Sequence, residues 1–143
     1  MTILLCGKKQ SEMNGSKIVL DTNVIIFASK QMIDVDVFLS TFDDFFVSII
    51  TFMEVYSYEF SNANEKKLID AFFEGIEVIE VNRNIAEMAI EIRKNKQKRI
   101  KLPDAIILAT AKFLGLPLLT DDWDDFQNAD DSVLIKKIDF LKI

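Results

Sequence analysis

Apolar residues follow two patterns along this chain. Short unbroken runs, such as Ile18-Val-Leu20, read as buried strands because they lack polar alternation. Longer stretches repeat apolar residues every three or four positions and read as helices with one buried face. The first strand spans residues 17–20 and the first helix 22–30. Val35, Phe38, Leu39 and Phe42 stand at i, i+3, i+4 and i+7, which predicts a short helix over 35–42. A second strand follows at 45–50, then helices over 51–60 and 62–74, and a third strand at 76–81. The helix at 84–98 is the most regular, with Ile85, Met88, Ala89 and Ile92 on its buried stripe and its basic end running into solvent. Asn62 with Glu65, and Asn84 with Glu87, have capping-box spacing. Pro103 suits a first helical position. Residues 105–114 are apolar almost all round, so that helix is central, and Gly115 ends it. A fourth strand takes 117–119, an acid-rich turn 120–125, and a fifth strand falls within 132–138. Strands alternating with helices imply a parallel sheet covered on both faces.

The chain has 143 residues, half of them hydrophobic and 28% charged, which suits one globular domain over 17–143. Residues 1–16 read as an extension, polar and aperiodic from Lys8 onward, and Met13 stands as an alternative start. No apolar run reaches the roughly 18–20 residues of a membrane span, and residues 1–6 are too short for a signal-peptide core. A cytoplasmic protein is expected. Cys6 is the only cysteine and there is no histidine. Ser-His-Asp and Cys-His catalysis are thereby excluded, as is any His-ligated metal.

The net charge is −6, which argues weakly against a nucleic-acid partner. Its distribution says more. Six of the nine residues from Arg93 to Lys101 are basic. Such a run is ordinarily a solvated helix end. Its place just before Asp104 raises a role for Lys94, Lys98 and Arg99 in holding a nucleic-acid backbone.

Four acids sit where elements begin. Asp21 follows the first strand, Glu54 lies one turn into the helix after the second, Asp104 opens the central helix, and Asp122 follows the fourth strand. Each has a plain structural reading. Asp21 suits a helix N-cap, Thr51 and Glu54 form a capping box, and Asp104 gains about 0.3–1 kcal/mol from the helix dipole. Asp121, Asp122, Asp124 and Asp125 suit a solvated turn. Against this stands a cost. Glu54 and Asp104 are flanked by apolar residues with no cation in the same helical turn, and buried acids are rarely left unpaired. If the four converge at the carboxyl edge of one sheet, where open α/β sheets build their sites, a hard divalent cation relieves the repulsion. Mg²⁺ or Mn²⁺ in such a pocket suits phosphodiester hydrolysis without a histidine base.

Four pieces of the chain resemble the PIN-domain ribonucleases of the VapC-like toxin type. They are Ile18-Val-Leu-Asp-Thr-Asn-Val24, Ser48-Ile-Ile-Thr-Phe-Met-Glu54, Leu102-Pro-Asp-Ala-Ile-Ile-Leu-Ala-Thr-Ala111 and Leu118-Leu-Thr-Asp-Asp-Trp-Asp-Asp-Phe126, in the family's order. The resemblance implies a PIN-like three-layer α/β/α sandwich. It implies Mg²⁺- or Mn²⁺-dependent endonucleolytic cleavage of RNA that leaves a 5′-phosphate and a 3′-hydroxyl. Asp21, Glu54, Asp104 and Asp122 would be the metal-binding, catalytic acids, with Asp125 an alternative or additional ligand. Thr120 would orient ligands or substrate, and Asn23 would support Asp21. A homodimer and a cognate antitoxin partner are implied as well. Two departures stand out: the extension before the first strand, and Asp121, whose charge opposes an approaching RNA phosphate.

Two other functions compete. Phosphoryl-transfer domains also place acids and Mg²⁺ on a doubly wound sheet, but haloacid-type phosphatases need Asp-x-Asp where this chain has Asp21-Thr-Asn23. Response receivers need a Lys at the end of a late strand, and Leu118-Leu-Thr-Asp offers none. A catalytically silent PIN-like binding module is the third reading, and the presence of all four acids argues against it. The Phe-rich stretch 38–60 reads mainly as core, with part of it available to line an antitoxin groove.

Overall fold

The computed structural model describes residues 16–95 and 97–143. The expected extension apart from Ser16, with Cys6 and Met13 in it, and Lys96 of the basic run lie outside the described residues.

Five strands form one sheet: β1 (Lys17–Leu20), β2 (Asp44–Ser48), β3 (Ile76–Ile79), β4 (Leu118–Thr120) and β5 (Ile135–Lys137). Their order is β3-β2-β1-β4-β5, and every pairing is parallel. Parallel neighbours need crossovers, and helices supply them. These are α1 (Thr22–Ser29), α2 (Val35–Thr41), α3 (Ile49–Ser57), α4 (Ala63–Glu74), α5 (Arg83–Arg93), α6 (Leu102–Leu114) and the one-turn α7 (Trp123–Phe126).

The two faces of β1 make two cores, because successive side chains of a strand point opposite ways. Ile18 and Leu20 pack with Val24, Phe38, Val55 and Ile69 from α1–α4. Val19 packs with Ile85 and Ile92 of α5 and Ile107 and Leu108 of α6. The result is the expected three-layer α/β/α sandwich. Aliphatic side chains dominate both cores, and each fully buried Leu or Ile contributes roughly 1.5–3 kcal/mol.

Several boundaries differ from the sequence-based expectation by one to five residues, and four of the differences have a visible reason. The second strand stops at Ser48, not residue 50, because Ser48 Oγ accepts from Ile50 N at 3.1 Å and caps α3. Thr51 is therefore a buried residue inside the helix, not its cap. Helix α5 starts one residue earlier than expected, capped by Asn82, whose side chain accepts from Ile85 N at 2.8 Å. It also ends at Arg93, five residues short of the expected 98. Ile100 is buried, and its carbonyl accepts from Arg93 Nε at 3.2 Å, so the chain folds back instead of running into solvent. Pro103 stands second in α6 behind Leu102, with Lys101 as the capping residue. The far end of α6 is as expected: Gly115 takes φ 69°, and its N–H and that of Leu116 close the last turn onto Lys112 O and Ala111 O.

Candidate active site

The carboxyl ends of β1 and β4 lie side by side, since Leu20 pairs with Leu119. Asp21 and Thr120 sit at those ends. Asp21 is 5% exposed and extended at φ −74°, ψ 158°, which lets Oδ1 accept from Thr22 N at 2.8 Å as an N-cap. Its other oxygen, Oδ2, accepts from the Thr120 hydroxyl at 2.8 Å. Thr120 is fully buried, and its oxygen in turn accepts from Asp122 N at 2.9 Å. One hydroxyl thus ties the first acid to the backbone of the fourth.

Thr22 and Thr51 bring in the second acid. The Thr22 hydroxyl donates to Glu54 Oε1 at 2.5 Å, and the Thr22 and Thr51 hydroxyl oxygens lie 3.3 Å apart. Both threonines belong to the site's scaffold, a place that the sequence pattern gave to neither. The signal was present: Thr22 adjoins Asp21, and Thr51 precedes Glu54 by one helical turn. Asn23 Nδ2 donates to Asp122 Oδ2 at 3.3 Å, so its partner is Asp122 and not Asp21.

Burial differs among the acids. Asp104, in the first turn of α6, is half-buried, whereas Glu54, Asp122 and Asp125 are exposed. The apolar neighbours of Glu54 therefore do not bury it, because its helix turns Phe52 and Met53 outward beside it. Asp21 does bear the cost of burial. Burial, first of all, pushes its carboxyl up to about 7, against the bonds from Thr120 and Thr22, and the charges of Asp104 and Asp122 raise it further. Asp104 is raised to about 6, again chiefly by burial, then by Asp125 and Glu54, with Lys101 opposing. Asp122 is raised by partial burial and by Asp125 and Asp121, while the Asn23 bond opposes. The acids therefore act on one another's titration. Among the described residues none of Asp21, Glu54, Asp104, Asp122 and Asp125 forms an ion pair with Lys or Arg. No three His, Cys, Asp or Glu side chains among the described residues stand close enough together, as placed, to hold a metal ion.

Asp121 behaves otherwise. Lys142 Nζ lies 2.9 Å from its Oδ1 and 3.4 Å from Asp139, so the extra negative charge at position 121 is balanced from the far end of the chain. The basic residues are divided too. Lys94 and Arg99 border a cavity beside Arg93, while Lys98 Nζ donates to the carbonyl of Asp124 in α7.

A family profile for the PIN domain matches residues 18–132. No curated protein matches the sequence. Solved structures do. A toxin–antitoxin complex from Klebsiella pneumoniae is similar at 29% identity and TM-score 0.69, over 82% of this chain and 95% of that one. FitAcB from Neisseria gonorrhoeae is similar at 25% identity and TM-score 0.65, over 83% and 96%. VapBC2 from Rickettsia felis, bound to a DNA fragment from its promoter, shares the fold at 19% identity and TM-score 0.71, over 85% and 98%.

Proposed function

This chain belongs to the PIN domain family, and from that premise we propose that it is a metal-dependent endoribonuclease serving as the toxin of a toxin–antitoxin pair. One observation carries the reading. A carboxylate, Asp21, is buried at the sheet's carboxyl edge with no cationic partner among the described residues, and the same hydroxyl that holds it also holds the backbone of Asp122. A buried acid without a partner protonates or meets a cation.

The donor chemistry fits Mg²⁺ or Mn²⁺. Every candidate is a hard carboxylate oxygen, the chain has no imidazole, and the described residues contain no thiol. Asp21, Asp104 and Asp122 would hold the ion, with Glu54 and Asp125 completing the set. When bound, the ion supplies Lewis acidity toward a phosphoryl oxygen and water. The chain's own residues do the positioning. Thr120 and Thr22 N fix both oxygens of Asp21, the Thr22 hydroxyl fixes Glu54, and Asn23 steadies Asp122. Asp104 stands in the first turn of α6, where the helix dipole favours its charge.

The similar structure from Klebsiella pneumoniae is a toxin–antitoxin complex, and that supports an antitoxin partner here. An apolar groove of about 390 Å³ between α2 and α4, walled by Phe38, Leu39, Phe45, Leu68 and Phe72, suits an amphipathic segment of such a partner. The resemblance to VapC-like toxins extends the proposal to an active homodimer.

The test is direct. Purified protein incubated with single-stranded RNA and Mn²⁺ or Mg²⁺ gives internal cuts with 5′-phosphate ends, and EDTA stops them. Cutting that persists in EDTA, or that leaves 2′,3′-cyclic phosphates, overturns the mechanism. Tight RNA binding without cutting in either metal favours a silent binding module.

A further inference from the structure

The stretch between α5 and α6 borders an open cavity of about 370 Å³, whose described lining residues are Arg93, Lys94, Asn95, Arg99 and Ile100. It is not a loose solvated end. Ile100 is buried, and its carbonyl accepts from Arg93 Nε at 3.2 Å. That bond uses one of the five N–H donors of the guanidinium and fixes its plane at the cavity wall. Asn95 Nδ2 reaches the carbonyls of Asn128 at 3.3 Å and Ala129 at 3.2 Å, fastening the loop to the turn after α7. Lys98 donates to the carbonyl of Asp124, between Asp122 and Asp125. The loop is therefore clamped at two points to the segment that carries the acids.

The charge of the cavity runs against that of the chain. The net charge is −6, yet Arg93, Lys94 and Arg99 among the described lining residues are cations. The acid partner of Lys94, Glu91, is 3.6 Å away with both side chains about 70% exposed, a contact of little strength. Helix dipoles do not decide the matter, because the C-terminus of α5 and the N-terminus of α6 meet here with opposite signs. The cations decide it. Lys101, at the N-cap position of α6, lowers the Asp104 titration and extends the positive path to the acidic edge. Guanidinium forks and ammonium groups on a loop tethered beside the acid-bearing segment suit a phosphodiester chain that crosses from one to the other.

We propose that the Arg93–Lys94–Arg99 cavity is a phosphate subsite that holds the backbone of single-stranded RNA on the flank of the acidic edge. The proposal rests on the nuclease reading for its substrate but not for its measurement. Lys98 is a tether of the loop, so it is Lys94 and Arg99 that distinguish this subsite from a diffuse basic patch.

The experiment measures binding of labelled single-stranded RNA to the full chain in EDTA across a KCl series. For the double variant Lys94→Gln, Arg99→Gln the expected result is weaker binding and a log-log salt slope shallower by about 0.7 per lost contact. Arg99→Lys, which keeps the charge, retains most of the slope. Lys66→Gln with Lys67→Gln removes the same charge from α4 and leaves the slope unchanged. An unaltered slope in the cavity variant, or an equal loss in the α4 variant, overturns the subsite. Cleavage by wild type in Mn²⁺ is read in parallel. Cleavage with an unaltered slope sinks the subsite and leaves the nuclease. A lost slope without wild-type cleavage sinks the nuclease and leaves an RNA-backbone site.

Discussion

The Thr120 hydroxyl donates to Asp21 Oδ2 at 2.8 Å, from a side chain fully buried at the end of the neighbouring strand. The bond spans 99 positions of sequence and depends on the Leu20–Leu119 register. It is the main force opposing the rise in the Asp21 titration. Thr120→Val keeps the shape and removes the donor. The expected loss is about 1–3 kcal/mol in EDTA at pH 8, because a buried carboxylate oxygen is left unmet. Thr120→Ser, which keeps the hydroxyl, stays close to wild type. Chemical denaturation of the three proteins reads the difference, and an equal loss for Val and Ser would assign it to packing.

Asp21 makes the metal-free fold sensitive to pH in an uncommon direction. Its folded titration is raised to about 7 from a reference near 3.8. A raised group favours the folded state fully below the unfolded value and ceases to do so as pH rises through the folded one. The stability supplied by protonated Asp21 is thus present at pH 4 and gone above pH 7. Asp21→Asn removes this dependence. In EDTA it is expected to exceed wild type at pH 8 by up to about 4 kcal/mol, the free-energy equivalent of moving one titration from 3.8 to about 7. At pH 4 the two proteins converge. Melting curves across that window measure the difference, and a gap that widens as pH falls would show that burial is not what penalises the charged form.

Gly115 sits at φ 69° with open space where a Cβ would go. Nothing collides there, so Gly115→Ala isolates the backbone cost of the left-handed region, about 1–2 kcal/mol. Gly115→Asn costs less, since Asn tolerates that region. Equal losses for the two substitutions would point to a contact instead.

Local signals carried most of the fold into the sequence. Ile18-Val-Leu20 runs unbroken because both of its faces are covered, and Gly115 marks the end of α6 because there the chain turns left-handed. What stayed hidden depends on distance. Ile100 is one apolar residue among bases, and its burial with Ile85, Ile92 and the α6 side chains explains why the helix ends at Arg93 and does not run on through the basic stretch. The pairing of Lys142 with Asp121 joins the last strand region to the β4 edge and follows no spacing rule. At the candidate site, Asp21 and Asp122 were legible as acids that end strands. The hydroxyls of Thr22 and Thr51 were not, since Thr side chains suit helix starts and buried interiors alike. Glu54 is exposed because Val55 takes the buried face of α3 while Phe52 and Met53 stay exposed beside the acid.

Asp104 separates a helix-start acid from a member of the acidic edge, because the two roles predict opposite signs. As a residue in the first turn of α6 it gains about 0.3–1 kcal/mol from the dipole, and Asp104→Asn would lower stability by that much. As a neighbour of Asp125, Glu54 and Asp122 it is raised to about 6 by burial and their charges. The folded state then carries a penalty at pH 8 that is absent below about pH 4. Half-burial and salt screening reduce it, so about 1 kcal/mol of relief is expected on neutralisation, or roughly 2–4 °C for a domain of this size. Asp104→Asn therefore melts higher than wild type in EDTA at pH 8 and shows no gain at pH 4. Excess Mn²⁺ reverses the order, since a ligand that binds only the folded state stabilises whichever protein holds it more tightly. RNA cutting falls in the same variant. A protein that melts lower in EDTA, gains as much from Mn²⁺ as wild type and still cuts RNA would return Asp104 to the helix dipole and take the metal proposal with it.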